Sequence, residues 1–153
     1  MRLVILALAA FGFAAPAFAD GVKLESSVRE EIVTVDAKGE RKVTLTEPTA
    51  VAPGDVVVIS IAYENTGAEP VADIVISNPV PEHLRFIGMR SGVGMVSVDG
   101  GATFGSLVDL KVGQADQTSR PATTADVTHV RWRFDQPLLP GASGAVAFAA
   151  RLD

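Results

Sequence analysis

The strongest alternation of apolar and polar positions lies between Pro53 and Phe86. Within Asp55–Glu64, Val57, Ile59, Ile61 and Tyr63 share one face, while Val56, Val58, Ser60, Ala62 and Glu64 share the other. A period of two is that of a β-strand, and a strand apolar on both faces in its first half is one covered from both sides. Asn65-Thr66-Gly67 breaks the run with residues that tolerate positive φ, and Ala72–Ser77 resumes with Ile74 and Ile76 on one face. This spelling predicts a central hairpin that ends near Pro79 and Pro81, since neither proline can donate to a ladder.

The same rhythm continues on both sides. Val22–Asp36 predicts a strand with Arg29-Glu30-Glu31 suited to an edge, Asp36–Glu40 a turn, and Arg41–Thr46 a second strand, together a ribbon over one side of the central hairpin. Further on, His83–Ile87 and Met95–Val98 read as short strands; Leu107–Val112 fits a strand or a single turn, and Gln114–Thr124 is polar and reads as an exposed loop. From Val127 the alternation returns, with Thr128, Val130, Trp132 and Phe134 on the inward face and Val127, His129, Arg131 and Arg133 outside. Val146, Phe148, Ala150 and Leu152 close the chain as an inward face. The count is about seven to nine short strands with turns roughly every 8–12 residues, which predicts an all-β, immunoglobulin-like β-sandwich.

Composition narrows the setting. Met1-Arg2, the apolar run Leu3–Phe13 and Ala17-Phe18-Ala19 predict a signal peptide cleaved after Ala19; Pro16 and Asp20 come too soon for a membrane anchor, and no Cys follows to carry a lipid. The expected organisation is therefore residues 1–19 as leader and residues 20–153 as one sandwich domain, with an N-terminal hairpin over residues 20–47. Loss of the leader removes Arg2 and leaves 12 basic against 18 acidic residues, a formal charge of −6. That balance makes nucleic acid an unfavourable partner. With no cysteine, the core holds without disulfides. The expected location is the periplasm or the extracellular space.

Val51-Ala52-Pro53-Gly54-Asp55, the strand ending Tyr63-Glu64-Asn65-Thr66-Gly67, the segment Ile74–Asn78, Pro81 before Leu84 and Phe86, and Leu139-Pro140-Gly141 ahead of the last alternating run resemble the bacterial conserved repeat called "domain of unknown function eleven". The likeness runs over residues 51–153, with residues 94–126 outside the usual pattern and Asn78 where the family often has aspartate. It implies an immunoglobulin-like sandwich of exported or surface proteins, with a structural or adhesive role and usually in tandem copies; one copy is present here.

Two features stand out as candidate sites. Ser97-Val98-Asp99-Gly100-Gly101-Ala102-Thr103-Phe104 resembles the Asp-box of sialidases and related propellers, a hairpin in which the aspartate accepts backbone bonds, a glycine turns left-handed and the aromatic packs inward. One copy in a short chain cannot form a propeller, so Ser97, Asp99, Gly101, Thr103 and Phe104 read as a self-capped structural turn ahead of a carbohydrate or ion site. His129, Arg131 and Arg133 form a basic stripe, able to face an acidic partner or an anionic sugar, against the plainer reading of a solvated outer face. His83 and His129 lie far apart with no carboxylate or cysteine at ligand spacing, and no G-x-S-x-G elbow is present. Gly92–Gly94 and Gly100-Gly101 share only a glycine count with phosphate loops. No catalytic, metal or cofactor residue is assigned. The expected activity is non-enzymatic contact with a cell-envelope protein; the alternative is an envelope carbohydrate-binding protein, disfavoured because Trp132 and Phe134 fall on the inward period.

Overall fold

The computed structural model describes residues 21–153, so the expected leader and its cleavage site lie outside the described residues. Among the described residues there are ten strands: β1 (Val22–Val35), β2 (Arg41–Thr46), β3 (Val56–Asn65), β4 (Val75–Pro79), β5 (Leu84–Ser91), β6 (Gly94–Ser97), β7 (Lys111–Gly113), β8 (Ser119–Pro121), β9 (His129–Arg133) and β10 (Ser143–Leu152). They form a five-stranded sheet in the order β2-β1-β3-β10-β5, a three-stranded sheet in the order β4-β9-β6, and the small ribbon β7-β8. All strand pairings are antiparallel.

The two larger sheets face each other across one apolar core. Ile59, Ile61, Phe86, Val146, Phe148 and Ala150 enter it from the five-stranded sheet, and Ile76, Val96, Val130 and Trp132 from the other. Trp132 is 2 % exposed, and its indole N–H donates to the Ser91 carbonyl at 3.2 Å. Gly92 and Gly94 make its seat: a Cβ on Gly94 would stand 3.0 Å from the indole nitrogen, and Gly92 has φ +75°. These glycines serve close approach, not anion binding.

Val57, Val58, Ile59 and Ile61 are all buried, as the doubly apolar pattern of β3 requires. On the outer side of the sheet, Val58, Ala147 and Ala149 form a second small cluster with Val56 and Ile87 against it. The Arg90 guanidinium meets the Glu31 carboxylate there at 2.9 and 3.1 Å. Because β3 and β10 lie between β1 and β5, this bidentate pair reaches across the outer faces of both intervening strands.

Four expectations change. The central hairpin is not one: β3 pairs with β1 and β10, whereas β4 pairs with β9 in the opposite sheet. The fully buried Asn65 makes the difference, because its side-chain amide donates to the carbonyls of Glu69 and Leu138 at 2.8 Å each and its oxygen accepts from the Gly67 N–H at 2.9 Å. A local turn signal has become a clamp that sends the chain across the sandwich. The β1-β2 ribbon does not lie over β3: β1 pairs with it edge to edge as far as Glu31, opposite Val56, with Leu24 and Val28 packed against the core, and from there the two strands continue as an arm with exposed Ile32, Val33, Val35, Val43 and Leu45. Val127 is buried, since the strand starts only at His129 and Val127 ends a short 3₁₀ turn over Thr124–Asp126. The polar segment Gln114–Thr124, read as a loop, contains β8, which pairs with β7 just ahead of it across a turn closed by Gln114 and Thr118.

Candidate functional site

The turn between Ser97 and Phe104 is tied at its base, where Val96 and Gly105 exchange backbone bonds of 2.9 and 3.0 Å. Inside it, Asp99 gathers donors. Its Oδ1 accepts from the Ser97 hydroxyl at 2.7 Å and the Thr103 N–H at 2.9 Å, and its Oδ2 accepts from the Thr103 hydroxyl at 2.6 Å. The buried Ser97 hydroxyl in turn accepts from the Gly101 N–H at 2.9 Å. Gly100 and Gly101 have φ of +76° and +90°, left-handed values that aim their N–H groups inward. Hydrogen bonds from Ser97, then from Thr103, hold the Asp99 carboxyl far below the ordinary carboxylate range.

The pairing of β6 with β9 sets Ser97 opposite His129 and Met95 opposite Arg131, which brings the turn onto the basic stripe. A Cβ on Gly101 would lie 3.5 Å from the His129 ring, so the glycine sits flat against the imidazole. Thr128 links the two: its hydroxyl accepts from the Gly100 N–H at 3.1 Å and stands 3.1 Å from His129 Nδ1. Phe104 does not enter the core; the Arg131 guanidinium carbon lies 3.5 Å from the centre of its ring. Arg131 Nε also donates to Ser77 Oγ on β4 at 2.8 Å. The inward aromatic implied by the Asp-box likeness is thus replaced by an outward one that supports a cation.

The two candidate features are therefore one surface, the outer face of the three-stranded sheet. His129 and Arg131 are half-buried, and Arg133 is exposed beside a shallow open cleft bounded by Asp73, Phe134 and Asp135. Among the described residues, the ion pairs are Lys23–Glu25, Arg29–Glu47, Arg85–Asp153, Arg90–Glu31 and Arg120–Asp126. None draws on His129, Arg131 or Arg133, and Arg131 is held in place by a hydroxyl and an aromatic ring.

The sequence pattern did not disclose Phe104, Ser77 and Thr128 as partners of the stripe. Only the aromatic at the end of the Asp-box spelling carried any signal. His83 lies elsewhere, exposed, at φ +65°. Among the described residues no three His, Cys, Asp or Glu side chains gather as a metal ion requires, and no helix is long and apolar enough to cross a membrane. Compared with protein-family models, with curated proteins and with solved structures, the chain matches none.

Proposed function

We propose that this chain is a non-enzymatic, exported β-sandwich module that acts by protein contact in the cell envelope, through the outer face of the three-stranded sheet. The observation that carries the reading is Arg131 lying on Phe104 and bonded to Ser77, with no acidic partner among the described residues. A guanidinium fixed by neutral neighbours has lost side-chain freedom in advance and keeps its charge for an incoming carboxylate. With His129 on one side and Arg133 on the other, the partner is a protein surface with acidic side chains at strand spacing.

A sugar-binding reading has less support. Saccharides stack on open aromatic faces, and here Trp132 is buried while one face of the Phe104 ring carries Arg131. The immunoglobulin-like topology and kinship with the conserved repeat belong to the same proposal and rest on the punctuation of residues 51–153. Export rests on the leader-like pattern of residues 1–19.

Retention of envelope proteins on the immobilised protein tests the contact. Wild type retains a partner that is eluted by salt, and an Arg131→Glu, Arg133→Glu double variant with unchanged melting temperature does not. Retention unaffected by the double variant refutes the site. N-terminal sequencing tests export separately, with Asp20 as the expected first residue.

A further inference from the structure

The described part of the five-stranded sheet ends on one side in β2, with no strand beyond it. That edge is neither short of apolar side chains nor covered: Val43 and Leu45 are 56 % and 44 % exposed. We infer that β2 is the interface with a second copy of this chain, the two β2 strands pairing antiparallel about a two-fold axis through Thr44.

The direction of the backbone groups comes first. Asp36 N–H donates to the Glu40 carbonyl, and the register continues through Thr34↔Lys42, Ile32↔Thr44 and Glu30↔Thr46. In an antiparallel pair, hydrogen-bonded positions alternate with non-bonded ones, so Lys42, Thr44 and Thr46 turn their backbone groups toward β1. Arg41, Val43 and Leu45 turn theirs to the open edge. Glu47 follows the same parity, and Pro48 after it favours extended backbone at Glu47.

Side chains then choose the register. Residues 41, 43, 45 and 47 also share one sheet face, since alternate residues do. With Thr44 opposite its own copy, Val43 lies opposite Leu45 of the second copy, and Arg41 opposite Glu47 of the second copy, whose carboxylate also meets Arg29 of its own chain at 3.0 Å and so is shared between two guanidinium groups. Symmetry repeats both pairs, giving an apolar centre flanked by ion pairs and up to about eight backbone bonds. Lys42 faces Thr46 of the second copy, so no like charges meet. Shifting the register by two residues either way sets Arg41 against Leu45 or Glu47 against Val43 and loses both ion pairs. The strand is complementary to itself in one register, which is the condition for a closed two-fold contact. Lys and Thr on an edge deter pairing with other chains, and here they leave this register free.

Sedimentation velocity on the purified protein, from micromolar to hundreds of micromolar, tests the assignment with three variants. Val43→Pro removes an outward N–H without touching the β1 ladder, and proline is tolerated on that side of an edge strand. Wild type is expected to run as a concentration-dependent dimer and Val43→Pro as a monomer with nearly the wild-type melting temperature. Arg41→Glu alone is expected to weaken the dimer by about tenfold, two exposed ion pairs turned repulsive, and a triple swap of Arg29→Glu, Arg41→Glu and Glu47→Arg, which keeps the pair within each chain, to restore it. The swap keeps the test decisive should Val43→Pro fail to fold. A wild type monomeric at every concentration overturns the proposal, whatever other strand the edge then accepts, and so does a triple swap as weak as the single reversal.

Discussion

Arg131 lies flat on Phe104, its guanidinium carbon 3.5 Å from the ring centre, although 27 positions separate the two residues in the sequence. The contact joins the end of the box-like turn to the middle of β9. Phe104→Ala is therefore expected to free the arginine without unfolding the turn, costing about 0.5–1 kcal/mol of stability. Partner retention should fall with it, and Phe104→Tyr should restore both. Calorimetry and retention measured on the same samples check this; a variant that loses stability but binds as before shows that the ring serves the fold alone.

Ser97 is the buried member of the turn and sits between Asp99 and the Gly101 N–H. Ser97→Ala leaves that N–H without its partner and Asp99 without its first donor, an expected loss of about 1–3 kcal/mol by chemical denaturation.

Acid should loosen the same turn. The Asp99 carboxyl is held below its ordinary value near 3.8 in the folded chain, so its contribution is present above that value and is lost as the pH falls beneath it. The fall in melting temperature between about pH 5 and about pH 2.5 should be smaller in Asp99→Asn than in wild type, because the variant has no carboxylate to protonate there. Equal slopes in the two proteins would remove Asp99 from the acid response.

Trp132 fills the space between the sheets and rests on Phe148, ring centres 6.3 Å apart. Trp132→Ala is expected to cost about 3–5 kcal/mol. The wild-type fluorescence maximum should be blue-shifted and insensitive to added saccharides; quenching by a sugar would move carbohydrate recognition ahead of protein contact.

Asn65 offers the sharpest test of the crossing. Asn65→Asp keeps the shape but sets an acceptor against the carbonyls of Glu69 and Leu138, both of which now receive a donor. We expect a loss of about 3 kcal/mol or more at neutral pH, partly recovered under acid when the carboxyl can again donate. A variant as stable as wild type would mean that the turn sequence alone directs the chain.

Strands whose two faces differ in polarity, or that are apolar on both, were legible in the sequence: β3, the second half of β9 and β10 declare their burial by their period. The pairing partners were not. Asn65-Thr66-Gly67 spells a hairpin, and what overrides it is a bond to Leu138, 73 positions away, which no local pattern carries. The box-like turn and the basic stripe were each visible, yet their meeting depends on the register Ser97↔His129 between two strands about thirty residues apart. The arm of β1 and β2 was misplaced for a related reason. An apolar period says that a face seeks cover and is silent on whether the same chain supplies it.

β10 is the last of the described strands in sequence but stands between β3 and β5. Until its residues are available, β5 has no neighbour in that sheet and the core lacks Val146, Phe148 and Ala150. A ribosome or a pore that delivers this chain from its N-terminus holds an unfinished sandwich until Ser143–Leu152 has emerged, with adhesive strand edges on show. Folding of the sandwich is deferred until β10 emerges, and a nascent chain stopped short of Ser143 is a substrate for holding factors and proteases.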